Sequence, residues 1–329
     1  MLNQTSQGPL VSVIIPAYNA AGFIGDTLNS VFAQTYSNYE VILVNDGSPD
    51  TDELEKVIEP FRDRLIYLEQ ENKGPSAARN NAIRKARGEL VAFLDSDDNW
   101  LPDYLAEQIG LIEGEPRFDM VYSDAWLFGD SPLAGRRFME CAPSVGPVTF
   151  ESLLLYQTSV ITSGTVVRRQ AVIDAGLFDE RFIRCEDFDL WIRLAHRGAR
   201  IGFQEQVLAR HRAHGASLAA NEIAMVESQI EVLKKAKQTL SLSEAEHELI
   251  DRQLENCAAQ IDRERGKQYL ATRNYDQAAA SFTRANTFYK SRKLQLVIWG
   301  LRLTPRIVRY LANVRMSPKR LASSPPIPK

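Results

Sequence analysis

Across its first hundred residues the chain repeats one pattern, a short apolar run followed by an amphipathic stretch. VSVIIPAYN (11–19) reads as a strand, Phe23 to Gln34 as an amphipathic helix, and YEVILVNDGSPD (39–50) as a strand entering a turn. Asp52 to Phe61 reads as a helix, LIYLEQ as a strand, Ser76 to Arg87 as a helix and ELVAFLDSDD as a strand. Strand, helix and strand at this spacing form βαβ units, hence a parallel sheet with helices on both faces. Ligands bind such sheets in the crevice beyond the carboxyl ends of the strands. Asn19 follows the first strand, Asp46 the second, and Asp95 and Asp97 the fourth, so distant residues are expected on one rim.

The fourth strand carries the sharpest chemical signal. Leu90 to Leu94 form the apolar run of a strand covered on both faces, yet Asp95, Asp97 and Asp98 follow with only Ser96 between them. Crowded carboxylates repel one another, and a divalent cation offsets that cost. Hard oxygen donors suit Mg2+ or Mn2+, and Mg2+ is usually held by one or two carboxylates together with substrate phosphates. The alternative is a helix cap, with Asp97 or Asp98 closing the helix that begins at Pro102 and Asp103.

The chain has 329 residues, enough for a main domain and an appendage. Its three cysteines, Cys141, Cys185 and Cys257, lack disulfide or zinc spacing, the N-terminus lacks the pattern of a signal peptide, and no apolar run approaches a membrane span. A cytoplasmic location is expected, with no nucleic-acid partner. Beyond Ser217 the pattern turns almost wholly helical, which sets the expected division at 1–218, 219–289 and 290–329. In the middle part, Gly266, Tyr269, Tyr275, Ala278, Phe282 and Ala285 sit at offsets resembling one tetratricopeptide hairpin, a unit that needs a neighbour and so caps the main domain or pairs with a second chain as a homo-oligomer. From 287 to 329 there are ten Lys or Arg and no Asp or Glu. Leu294, Val297, Ile298 and Leu301, then Ile307, Val308, Leu311 and Val314, form an apolar stripe with Arg306, Arg309 and Arg315 largely away from it. Such a tail either packs on its own protein or lies on an anionic membrane surface, which would make the protein peripheral on the inner face of the cell membrane.

PAYNA, VNDGSPD, NKGPSAARNNA, LDSDDNW and GLFDERFIRCEDFDLWIRL occur in the order and at the approximate spacing of family 2 glycosyltransferases, and the chain resembles that family from Val11 to about Ser217. The resemblance implies an α/β GT-A fold, with a Rossmann-like, mostly parallel sheet and flanking helices, followed here by a smaller all-helical region. It also implies a divalent metal and inverting transfer from a nucleotide sugar, typically a UDP-sugar, to a glycan or lipid-linked acceptor. By that resemblance Asp46 contacts the nucleotide base, and Pro16, Tyr18 and Asn19 form the loop under the nucleoside. Lys73, Gly74 and Arg79 lie beside the nucleotide, with Arg79 placed to pair with phosphate or to be a surface helix residue. Asp95 and Asp97 match the DxD motif, Asp95 toward ribose and Asp97 toward metal, with Asp98 adjacent. Glu186 and Asp187 match the catalytic ED pair with Asp187 as the base, Trp191 is core or stacks on the acceptor, and Arg212 and His214 resemble a late R-x-H whose histidine reaches metal or diphosphate.

Two rivals stand beside this reading. DSD also opens the motif of haloacid-dehalogenase-like phosphohydrolases, but their nucleophilic aspartate follows the first strand rather than the fourth. A non-catalytic scaffold derived from a transferase would work through the helical region and tail. The chain contains no P-loop and no GxGxxG, which removes support for ATPase and dinucleotide chemistry.

Overall fold

Four strands, β1 (Val11–Ala17), β2 (Tyr39–Asp46), β3 (Ile66–Gln70) and β4 (Leu90–Phe93), run parallel in the order β3-β2-β1-β4. Helices α1 (Ile24–Phe32), α2 (Thr51–Ile58) and α3 (Pro75–Lys85) make the crossovers. In this computed structural model residues 8–115, 117–213 and 221–303 are described. β1, β2 and β4 are buried along nearly their whole length, which is why they read as unbroken apolar runs. Ile24, Leu28 and Val31 turn the inner stripe of α1 onto them. From β1 the chain steps outward to β2 and β3 and then returns past β1 to β4 on its other side, so the strand order reverses between β1 and β4. A crevice therefore opens beyond the ends of β1 and β4.

The sheet continues differently past β4. β5 (Asn99–Trp100), α4 (Tyr104–Glu113), β6 (Met120–Phe128), α5 (Phe138–Cys141), α6 (Phe150–Leu154), β7 (Thr165–Arg168), α7 (Arg169–Asp174), α8 (Glu186–His196) and β8 (Ile201–Arg212) complete an eight-stranded sheet, ordered β3-β2-β1-β4-β7-β6-β8-β5. β7 pairs antiparallel with both β4 and β6, and β5 antiparallel with β8, while β6 and β8 are parallel. Ser163 and Gly164 belong to a single 3₁₀ turn, Thr162–Gly164, ahead of β7. Trp191 is 1 % exposed and packs beside Phe93 and Phe178, so of its two sequence-based alternatives the core position is the one observed.

The chain divides into two compact units, 1–215 and 216–329. The second contains α9 (Glu222–Thr239), α10 (Glu244–Ala271), α11 (Tyr275–Tyr289) and α12 (Arg292–Leu303). α10 starts with a capping box between Ser243 and Glu246. α11 packs closely on it because Gly266 leaves room for the Phe282 ring, which would lie 2.5 Å from a Cβ at that position. Leu294, Val297, Ile298 and Leu301 of α12 join Leu270, Ala278, Ala279 and Phe282 in one cluster. The segment from 292 to 303 is thus a helix packed on α10 and α11, and within it the expected stripe is a packing face. The continuation of that stripe, Ile307 to Val314, lies outside the described residues, as does His214.

Candidate active site

Asp46 ends β2 almost fully buried, and its carboxylate accepts from Gln70 Nε2 (2.7 Å), from the Lys73 amide (2.9 Å) and from the Gly74 amide (2.8 Å). The side chain therefore fixes the loop that starts α3. Gly47 follows with φ +62°, and a Cβ there would meet the Asn72 amide nitrogen at 2.6 Å, so the turn admits only glycine without rearrangement. The β1 loop is tied to the same turn: the Asn19 amide donates to Ser48 Oγ (2.6 Å) and the Ala21 amide to Asp50 Oδ2 (2.8 Å), while Asn45 Oδ1 accepts from the Ser48 amide (2.9 Å). Tyr18 and Asn19 face solvent at this edge, Lys73 is exposed opposite, and Pro16 is half-buried.

The acidic turn after β4 has an inside and an outside. Asp98 is fully buried, accepting from the Arg212 amide (2.7 Å) and lying 2.8 Å from His211 Nδ1. Thr27 Oγ1 donates to the carbonyls of Ser96 and Asp98, and Arg212 Nε donates to the carbonyl of Asp97. Burial pulls the His211 imidazole down, but Asp98, with Asp95 and Asp97 nearby, pushes it up to about 9. Asp98 is thus an internal brace, whereas the Asp95 and Asp97 side chains stay partly exposed. Among the described residues no group of three or more His, Cys, Asp or Glu converges as a metal cluster. Two carboxylates completed by substrate phosphates need no such cluster, and the oxygen donors of Asp95 and Asp97 fit Mg2+ or Mn2+.

Arg79 joins this turn to the opposite wall. It projects from α3 into the interior, 4 % exposed, with Nη2 2.7 Å from Asp95 Oδ1 and Nη1 2.7 Å from Glu186 Oε1. The two carboxylates hold the guanidinium charged against its burial. Of the two forms expected of Arg79, the surface helix residue is therefore not the one observed. Glu186, expected as half of a catalytic pair, is buried against Arg79; burial and neighbouring Asp187, opposed by Arg79, push its carboxyl up to about 7. Asp187 next to it is only half-buried. Its Oδ2 accepts from Thr162 Oγ1 (2.7 Å) and its Oδ1 from the Phe188 amide (2.7 Å), at the start of a helix whose dipole favours the anion.

The 3₁₀ turn that supplies Thr162 is a hub with no obvious signal in the sequence. Ser163 Oγ accepts from the Asp95 amide (3.1 Å), the Ser163 carbonyl from Trp100 Nε1 (2.6 Å) and the Gly164 carbonyl from Gln108 Nε2 (2.8 Å). Asp95 and Asp187 are thereby linked twice, through this turn and through Arg79 with Glu186. Asp46 stands on the same strand-end rim, bound to the loop that starts the helix carrying Arg79. Ser48, Asp50, Thr162, Ser163 and His211 were not among the residues expected from sequence; an Asx/ST pattern at 45–51 is the one signal that could have marked any of them.

These residues gather at the strand ends of an α/β unit, and comparison with known proteins places that unit in a family. The profile described as Glycosyl transferase family 2 matches residues 12–174. The UDP-Glc:alpha-D-GlcNAc-diphosphoundecaprenol beta-1,3-glucosyltransferase WfaP of Escherichia coli is 32% identical over 227 residues, covering 68% of this chain and 86% of that protein. An uncharacterized glycosyltransferase of Rickettsia felis is 31% identical over 209 residues, 63% of this chain, and the match spans about a third (34%) of its length. Among solved structures, S. aureus TarS 1-349 in complex with UDP superposes with a TM-score of 0.61 at 19% identity, covering 96% of this chain and 94% of that one. The mannosyltransferase PcManGT of Pyrobaculum calidifontis, in complex with GDP-Man and Mn2+, gives 0.58 at 19% identity, covering 95% and 89%. The chain belongs to the family 2 glycosyltransferases, and its first unit has the GT-A fold.

Proposed function

We propose that the protein transfers a sugar from a nucleoside diphosphate donor, a UDP-sugar first among them, to a hydroxyl of a glycan or lipid-linked acceptor, with inversion, in surface polysaccharide or glycoconjugate synthesis. One observation carries the reading: Arg79 binds Asp95 on the donor rim and Glu186 beside Asp187. The acid suited to hold the donor and the acid suited to activate the acceptor are thus set by one buried cation. The E. coli relative, named for a UDP-glucose donor and a diphosphoundecaprenol-linked acceptor, supports the choice of donor and acceptor class. A cytoplasmic site of action belongs to the same proposal.

In this reading Tyr18, Asn19 and Lys73 border the nucleoside, and Asp46 shapes its pocket through the Lys73 and Gly74 amides. Asp97 and Asp95 would hold a divalent cation, which when bound screens the charge of the departing diphosphate. Thr162 and the Phe188 amide orient the Asp187 carboxylate, which takes the proton from the attacking hydroxyl. A single displacement on the face opposite the leaving group inverts the anomeric centre. The phosphohydrolase alternative has nothing to act through at the first strand, since β1 ends in Pro16 and Ala17.

The test is nucleoside diphosphate release across UDP-, GDP- and dTDP-sugars with Mn2+ or Mg2+, repeated with Asp187→Asn. The variant should bind donor as the unmodified protein does and lose turnover by about 100- to 10,000-fold, the usual weight of a general base. Normal turnover by that variant would remove Asp187 from the chemistry, and release of inorganic phosphate from simple esters would favour a hydrolase.

A further inference from the structure

α12 has two apolar faces, and only one is used inside its unit. Ile298 and Leu301 are buried in the cluster with α10 and α11, with Leu294 and Val297 against it. On the other side Leu296, Trp299 and Leu303 are 64 %, 55 % and 80 % exposed. Their spacing of three and then four residues puts them on one stripe. Arg292 extends that stripe toward the N-terminus, Lys293 and Arg302 flank it on either side, and Lys290 precedes it, all of them exposed. Packing on α11 explains the first face and gives no reason for the second.

We infer that this second face of α12 lies on the surface of an anionic lipid bilayer. Charge decides among the occupants. A second copy of the helix would bring Arg292, Lys293 and Arg302 against the same cations, and residues 304–329 would add six more Lys or Arg with no acid. Lipid phosphates supply the missing anions, and the acyl boundary accepts two leucines and a tryptophan, whose indole favours that depth. No described helix is long and apolar enough to cross a membrane, so the contact is one of lying on the surface. This inference is independent of the donor and acceptor proposed above.

Co-sedimentation of the full chain with phosphatidylcholine vesicles, with and without phosphatidylglycerol, tests it. The protein should partition onto the anionic vesicles alone and be released as salt shortens the Debye length. Leu296→Ser/Trp299→Ser/Leu303→Ser should lower partitioning by at least about tenfold. Trp299→Phe should remove most of the tryptophan quenching by brominated lipid, and Arg292→Gln/Lys293→Gln should weaken binding with every packed contact of α12 intact. Unchanged sedimentation of the triple variant, equal binding to neutral vesicles, or a fall in solution mass without loss of vesicle binding would overturn the inference, the last by giving the face to a second copy.

Discussion

At the β3-β2-β1 edge, Asp46 is held by groups 24 to 28 residues further along the chain. Across the crevice, Asp98 is held by groups 113 and 114 residues away, and Arg79 reaches Glu186 over 107 residues. The first edge is complete once consecutive βαβ units have formed. The second exists only after β8 and α8 have returned to the sheet. Local assembly suits a binding edge, which needs a loop of fixed shape. The acids that meet across the crevice need a relative position, and only long-range contacts can impose one. Substitutions at the first edge should therefore perturb a loop, whereas those across the crevice should perturb the whole first unit or the chemistry.

The largest difference should appear between Arg79→Met and Asp46→Asn. The first leaves Asp95 and buried Glu186 without their shared cation, and breaking a buried pair costs about 3–5 kcal/mol. The second weakens charge-assisted bonds to one loop, for about 1–2 kcal/mol. Urea unfolding followed by circular dichroism reads both. A cost for Asp46→Asn equal to that of Arg79→Met would abolish the distinction between the two edges.

A smaller effect, confined to turnover, is expected from Thr162→Val. The change keeps the volume and removes the hydroxyl that donates to Asp187 Oδ2. Stability should fall by about 1 kcal/mol, the worth of one hydrogen bond. kcat should drop about tenfold with the donor KM unchanged, because the positioning of a base is lost rather than the base itself. A raised donor KM with unchanged kcat would move Thr162 to the binding side of the comparison.

Much of the parallel half of the sheet could be read from sequence. β1, β2 and β4 were visible as apolar runs, α1 and α3 were right to within two residues, and the rim positions of Asn19, Asp46, Asp95 and Asp97 followed from strand ends. The opposite wall was less legible for a physical reason. β8 is twelve residues long, yet Gln204, Glu205 and Gln206 interrupt its alternation where its register against β6 shifts, so no strand period shows. The role of Arg79 was hidden because a basic residue on a helix is ordinarily solvated, and its two partners come from segments that sequence order keeps apart. Asp97 and Asp98 look equivalent in DSDD, and it is the return of β8, with His211 and the Arg212 amide, that takes Asp98 inside while Asp97 stays partly exposed. In α12 the predicted apolar stripe was real, but a stripe does not say whether protein or lipid covers it.

The smallest expected effect sharpens the comparison through pH. Asp98, with Asp95 and Asp97 near it, pushes the His211 imidazole from 6.5 up to about 9 against its burial, while among the described residues Asp46 has no histidine partner. A folded pKa above the unfolded one means that the native state keeps its proton longer. The His211–Asp98 contribution is then fully present below pH 6.5 and fades as pH rises through about 9. Because a third (34%) of the imidazole side chain is exposed, solvent screens the pair and the slope should be shallow. His211→Gln should flatten unfolding free energy across that window, and Asp46→Asn should leave its slope as it is. If both variants keep the wild-type slope, the acidic turn is not held by the imidazolium, and the amide of Arg212 and the hydroxyl of Thr27 hold it without charge.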